Sequence, residues 1–178
     1  MARNSRNMRD RAIKQAQILD KKFFEEYSDF IWDRVKHPGY VAIPRILPLA
    51  MQAIDNQTKG KPAGHVYFCL WARSPDYSLI TIDSPHTFAI EAGFSGERAV
   101  DTWKSRIKSL EELSFIKTFP GSFGELSYIV LYDPVTVLAY LWSLEKIQKD
   151  LYLRIHSRAM EIGALESIEK FENNKKGK

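Results

Sequence analysis

The stretch ITIDSPHTFAIEAGFSGERAVDTWKSRIKSLEELSFIKTFPG, Ile80 to Gly121, decides how this chain is read. A short β-prone run, LITI (Leu79 to Ile82), leads into it. Asp83 or Ser84 can then cap a short helix, with Pro85 at its first position, where a missing N–H does no harm. Phe88, Ala89 and Ala92 supply the inward face of that helix. Gly93 stops it by taking the left-handed conformation. Ser95 reads as the next N-cap, although Arg98 falls where a capping box would place Glu. From about Gly96 to Leu113 a second helix is predicted, with Val100, Trp103, Ile107 and Leu110 on one face. Its opposite face collects Arg98, Asp101, Thr102, Ser105, Lys108 and Ser109. Phe115 to Phe119 then reads as a strand, PGSFG as a turn, and Leu126 to Tyr132 as the return strand.

Upstream, AGHVYFCLWA (Ala63 to Ala72) is apolar all round, and periodicity does not separate a buried strand from a buried helix. A helix is favoured, because Ser74-Pro75-Asp76 terminates the run and the β-prone LITI follows directly. Before it come a helix from about Pro44 to Gln57 and a loop, Thr58-Lys59-Gly60-Lys61-Pro62. The first helix spans Met8 to Val35, with Ile13, Ala16, Phe23, Phe24, Tyr27, Phe30 and Ile31 at helical spacing, and His37-Pro38-Gly39 ends it. Downstream, Asp133-Pro134 opens one long last helix whose stripe runs from Val137 to Leu165. The expected fold is therefore mostly α with a small antiparallel β-hairpin. It divides into a basic arm and N-terminal helix (1–40), a central domain (41–134), and a long C-terminal helix with a basic tail (135–178).

Composition limits the function. The 178 residues are 44% hydrophobic and 12% aromatic, enough for a real core. Lys+Arg 26 against Asp+Glu 22 leaves a formal charge of +4, too mild an excess to imply a polyanionic partner by itself. Its distribution says more: Arg3, Arg6, Arg9 and Arg11 crowd one end, and the other reads NNKKGK. Basic termini also serve plain solubility. The single cysteine, Cys69, lies in an apolar run and reads as a small core residue, which excludes an internal disulfide framework. The N-terminus has no apolar signal core, and no apolar stretch is long enough to span a bilayer, so a cytoplasmic setting is expected. His37, His65, His86 and His156 are scattered without metal-ligand spacing, so neither a metal nor a cofactor is expected. Nothing supports an enzyme: no Gly-rich phosphate loop follows a strand, no nucleophile sits in a recognisable elbow, and the carboxylates fall mostly in charged helices.

Helix, short strand, helix, tight turn, helix and hairpin form the element order carried by Leu79 to Pro134. In AIEAGFS and LEELSFI this segment resembles the winged helix-turn-helix domains of DNA-binding proteins, with Ser114 standing where glycine is usual. The hairpin GELSYIVLYDP is also similar to the wing of plasmid and phage replication initiators and related regulators. The resemblance implies a winged helix-turn-helix flanked by long N- and C-terminal helices. Its second helix would enter the major groove of double-stranded DNA.

The implied DNA contacts are Ser95, Arg98, Asp101, Thr102, Ser105 and Lys108 on the presented helix. Lys117, Thr118 and Ser122 would add contacts from the wing, and Arg3, Arg6, Arg9 and Arg11 from the arm. Arg98 suits a guanine edge, because its planar fork matches two acceptors; Asp101 could accept from a cytosine amino group or orient Arg98. The same residues also describe an ordinary solvated face. Trp103, on the inner stripe, belongs to the core, and Phe115, Phe119, Phe123, Tyr128 and Tyr132 are expected to pack against helices.

The long final stripe exceeds what such a domain needs. Leu141, Leu144, Ile147, Leu151, Ile155 and Ile162 are therefore read as a seam that packs on the first helix or forms a homodimer. The functional expectation is a sequence-specific duplex-binding regulator, or a replication or maintenance factor of a mobile element. The competing expectation is a winged-helix module that binds protein instead.

Overall fold

A computed structural model describes residues 10–19, 32, 33 and 35–176. The chain forms two compact units, Met1–Tyr40 and Val41–Lys178. In the first, residues 10–19 are helical (α1) and exposed. Of the helix expected from Met8 to Val35, the positions Phe23, Phe24, Tyr27, Phe30 and Ile31 lie outside the described residues. Near the end of this unit Trp32 meets Tyr40 edge-on at 5.9 Å.

The second unit is mostly helical with a small antiparallel sheet. Its elements are α2 (Leu47–Gln57), α3 (Gly64–Ala72), β1 (Leu79–Thr81), α4 (Pro85–Glu91), α5 (Ala99–Glu112), β2 (Ile116–Gly121), β3 (Gly124–Leu131), α6 (Pro134–Ser143), α7 (Lys149–Glu161) and α8 (Leu165–Lys176). The ambiguous run AGHVYFCLWA is helical. Its buried positions Ala63, Val66, Tyr67 and Leu70 follow helical spacing, and α3 packs against α2.

The sheet has three strands where a two-stranded hairpin was expected. Their order is β1-β3-β2, all antiparallel, so the return strand of the hairpin lies in the middle. LITI joins it through Leu79 opposite Val130, Ile80 opposite Ile129 and Thr81 opposite Tyr128. Ser127, Ile129 and Leu131 alternate inward along β3, which fixes the register, since a slip of one residue would turn Ile129 and Leu131 outward. The β2–β3 ladder is irregular between Phe119 and Gly121, where Pro120 has no N–H to donate.

Helix starts follow local chemistry. The Ser84 side chain accepts from the amide of Thr87, with Pro85 in the first turn. Asp133 caps α6 more fully: its carboxylate accepts from the amides of Val135 and Thr136 and from the Thr136 hydroxyl at 2.6 Å. Trp103, Tyr67 and Phe115 are the largest fully buried side chains. Tyr67 and Phe115 lie 5.1 Å apart between ring centroids, and Phe88 and Trp103 lie 5.9 Å apart.

The single long C-terminal helix does not form. Glu145 adopts φ +59°, and the amide of Lys146 reaches back to the Leu141 carbonyl at 3.0 Å, which closes α6. Gly163, at φ +74°, ends α7 in the same way, with the Ala164 amide 2.7 Å from the Ala159 carbonyl. The three resulting helices pack on one another, and α6 and α7 also pack on α2, so residues 135–178 belong to the same compact unit as 41–134. Trp142 and Tyr152 stack nearly parallel at 4.1 Å across the α6–α7 turn.

Candidate nucleic-acid interface

The helix pair α4–α5 is built around Gly93. Its φ of +84° is left-handed, a conformation that costs other residues roughly 1–2 kcal/mol. The Phe94 amide then reaches the Ala89 carbonyl at 3.0 Å and closes the corner. The start of α5 lies later than the sequence suggests. Ser95 is exposed coil and caps nothing, Gly96 takes φ +78°, and the helix begins at Ala99 with Arg98 at the cap position and no side-chain cap. Chain reversal through Gly93 and Gly96 takes up the residues that an earlier cap would have made helical.

The inner face of α5 is Ala99, Trp103, Ile107 and Leu110, all buried, with Trp103 1% exposed. Val100, expected on that stripe, is only partly buried, and Ala99 takes its place. On the outside Arg98, Asp101 and Lys108 are exposed, while Thr102 and Ser105 are half-buried. Lys104 joins them: it is exposed and lies on the same stripe, three residues after Asp101 and four before Lys108. Helical arithmetic alone could have found it. Among the described residues Arg98, Lys104 and Lys108 make no ion pair (Arg73, Lys117, Arg158 and Lys170 do). Asp101 sits in the first turn of α5, where the helix dipole favours an acid.

Two other arginines near this surface are committed elsewhere. Arg106 donates through Nε to the Pro62 carbonyl at 3.1 Å and lies 5.8 Å from the Phe94 ring centroid. Arg73 pairs with Glu91 through two hydrogen bonds, one of them Nε to Oε2 at 2.6 Å, and covers Phe88 at 5.0 Å. The hydrogen bond from Arg73 holds the Glu91 carboxyl below its usual range.

The wing is held by Glu111. It pairs with Lys117 at 2.8 Å and accepts from both the amide and the hydroxyl of Thr118. Partial burial pushes the Glu111 carboxyl up, but the bonds from Lys117 and Thr118 outweigh it and leave the group below its ordinary value. Lys117 and Thr118, expected as DNA contacts, are thus engaged within the protein. Ser122 is exposed at the two-residue tip between Gly121 and Gly124. Beside it Phe123 is 56% exposed, and Phe119 and Tyr132 are also exposed, so only Phe115 of the five hairpin aromatics is fully buried in a helix-packed core. In the other unit Arg11 is exposed, while Arg3, Arg6 and Arg9 lie outside the described residues.

The residues read as a seam are divided. Leu141, Ile147, Leu151 and Ile155 are buried in the core of their own chain, Ile162 is partly buried, and Leu144 is exposed. The breaks at Glu145 and Gly163 turn the stripe inward, which removes it as a continuous surface. Cys69 is half-buried rather than fully buried, with Sγ 3.7 Å from both His65 Nε2 and the Glu91 carbonyl; burial raises its thiol above the usual value.

Among the described residues no helix is long and apolar enough to cross a membrane, and no group of three or more His, Cys, Asp or Glu could hold a metal ion. The class that fold and site define is a mostly helical protein with a three-stranded antiparallel sheet and a polar helix presented beside a short hairpin. Comparison with protein-family models, curated proteins and solved structures returns no match.

Proposed function

We propose that the protein binds double-stranded DNA as a winged helix-turn-helix, with α5 as the helix that enters the major groove. The observation that carries this reading is the construction of α5. Trp103, Ile107 and Leu110 anchor one side, while Arg98, Lys104 and Lys108 stand on the other and make no ion pair among the described residues. A reading helix needs that combination of a rigid back and a donor-bearing front. The sheet order β1-β3-β2 supports the same reading by holding the hairpin beside the end of α5. In this proposal Arg98 reads a base edge, and Thr102, Ser105, Lys104 and Lys108 make polar or phosphate contacts. Ser122 is the wing residue free to reach the backbone, and the N-terminal arginines add a sequence-independent contribution.

A regulator and a replication or maintenance factor of a mobile element both fit this mode of binding. The lone thiol of Cys69 suits the reducing cytoplasm in which either would work. Occupation of two half-sites would require a homodimer held through exposed residues such as Leu144, not through the buried Leu141, Leu151 and Ile155, and sedimentation of the full chain tests it. The mixed charge of the surface, with Asp101 and Glu112 exposed beside the lysines, favours the second reading, a module that docks on protein. Selection from a random duplex pool separates the two. An enriched motif supports DNA reading by α5, and a pool that stays random removes sequence-specific binding.

A further inference from the structure

A groove of about 310 Å³ opens on the second unit, bordered by Ser114 just past the end of α5 and by residues of the β3–α6 corner and α8. Its floor is one side of α6, where Asp133, Thr136 and Tyr140 follow one another at helical spacing. Tyr132, the residue that leaves β3, forms one wall, and Phe171 of α8 forms the other. Phe171 meets Tyr140 edge-on, with centroids 6.1 Å apart and planes at 76°. Tyr132 and Tyr140 are 42% and 38% exposed, so neither ring is satisfied by core packing.

Among the described residues the only acidic side chain in the lining is Asp133, and no Lys, Arg or His lines it. The Asp133 carboxylate is fixed in place as the cap of α6, accepting from the amides of Val135 and Thr136 and from the Thr136 hydroxyl. Among the described residues it makes no salt bridge. Three aromatic rings and one immobile negative charge around an open space define the chemistry of an occupant. Ring faces carry partial negative charge and attract cations, Arg, Lys and quaternary ammonium groups alike. An anion would be repelled by both features, and a neutral apolar guest would gain no attraction from the carboxylate. We propose that this groove binds a small organic cation of the alkylated-ammonium type, held over the Tyr132, Tyr140 and Phe171 rings and facing Asp133. The proposal does not depend on DNA binding.

The test uses the full chain and two probes of the same shape: choline, and its neutral isostere with a quaternary carbon in place of nitrogen. Amide NMR shifts of Ser114, Tyr132, Thr136 and Tyr140 report on the groove. Choline should give saturable shifts there, with affinity about tenfold above the neutral isostere. Tyr140→Phe should keep binding, because the ring and not its hydroxyl is required, and Tyr140→Ala should lose at least about tenfold. Asp133→Asn retains a capping side chain, so α6 stays folded while choline binding weakens. Equal affinity for the two probes, or no saturable shift with choline, overturns the proposal. Should Tyr140→Ala fail to fold, Asp133→Asn decides, and unchanged choline affinity in that variant also overturns it.

Discussion

Helix α5 and the segment from Pro134 to Lys176 carry the same kind of apolar stripe, yet they meet different ends. In α5 one stripe makes one helix, backed by Trp103, Ile107 and Leu110, and its polar side remains outside. In the C-terminal segment the stripe is distributed over α6, α7 and α8, which fold back on each other, with α6 and α7 against α2. Periodicity therefore tells which side of a segment is buried but not where the segment turns. The turns are decided by single residues in left-handed conformation: Ser114 after α5, Glu145 after α6 and Gly163 after α7. Only one of these three is a glycine.

The largest expected effect lies in α5. Trp103→Ala should destabilise the protein by about 3–5 kcal/mol in urea unfolding, as truncation of a fully buried aromatic does. A variant that melts like the parent would remove Trp103 from the core. Ile155→Ala, at a position 0% exposed within its own chain, should cost about 2–5 kcal/mol, and the loss should not vary with protein concentration. Strong concentration dependence would instead return the stripe to an interface between chains.

The helix ends give a smaller effect of opposite sign. Ser114 at φ +63° and Glu145 at φ +59° hold a conformation that costs L-residues roughly 1–2 kcal/mol, offset in glycine by greater freedom of the unfolded chain. Ser114→Gly and Glu145→Gly should each stabilise by up to about 1 kcal/mol in the same unfolding assay. Destabilisation by either would place the source of the turn elsewhere.

The smallest effect is electrostatic. The folded protein holds the Glu111 carboxyl below its ordinary value, so its contribution is complete above the unfolded-state value and is lost as pH falls through the folded one. The Lys117 partner is exposed to solvent, so screening keeps the contribution small. Glu111→Gln should flatten the loss of stability on acidification, and an unchanged acid limb would show that the wing clamp contributes nothing.

The central helices were legible in the sequence because their punctuation was chemical. Ser84-Pro85, Gly93 and Asp133-Pro134 each mark a boundary that caps, left-handed backbone or proline enforce. The start of α5 is not legible in the sequence, because Ser95 is a residue type that caps helices, while Gly96 adds another turn before the helix begins. The third strand was underestimated because pairing is long-range: LITI gives no local sign that Ile80 will face Ile129. Glu145 was invisible for a related reason, since glutamate is a good helix former and its left-handed turn follows from packing Ile147 and Leu151 back into the core. On α5, residue type and helical arithmetic placed Arg98, Asp101 and Lys108 on the exposed side. The engagement of Lys117 and Thr118 with Glu111 depends on where the hairpin returns beside α5, which no local pattern encodes.

The measurement that bears most directly on the role of α5 is the salt dependence of duplex binding, for the full chain and for the variant with Arg98, Lys104 and Lys108 all changed to Ala. These side chains lie opposite the buried stripe, so the variant should melt like the parent. For the parent, the logarithm of the binding constant should fall linearly with the logarithm of salt concentration, by about 0.9 per phosphate neutralised. The triple variant should bind more weakly and show a slope reduced by roughly 1–3 units, depending on how many of the three cations touch phosphate rather than a base. A parent that binds no duplex at low salt, or a folded triple variant with the affinity and slope of the parent, would contradict the assignment of α5 as the DNA-reading helix.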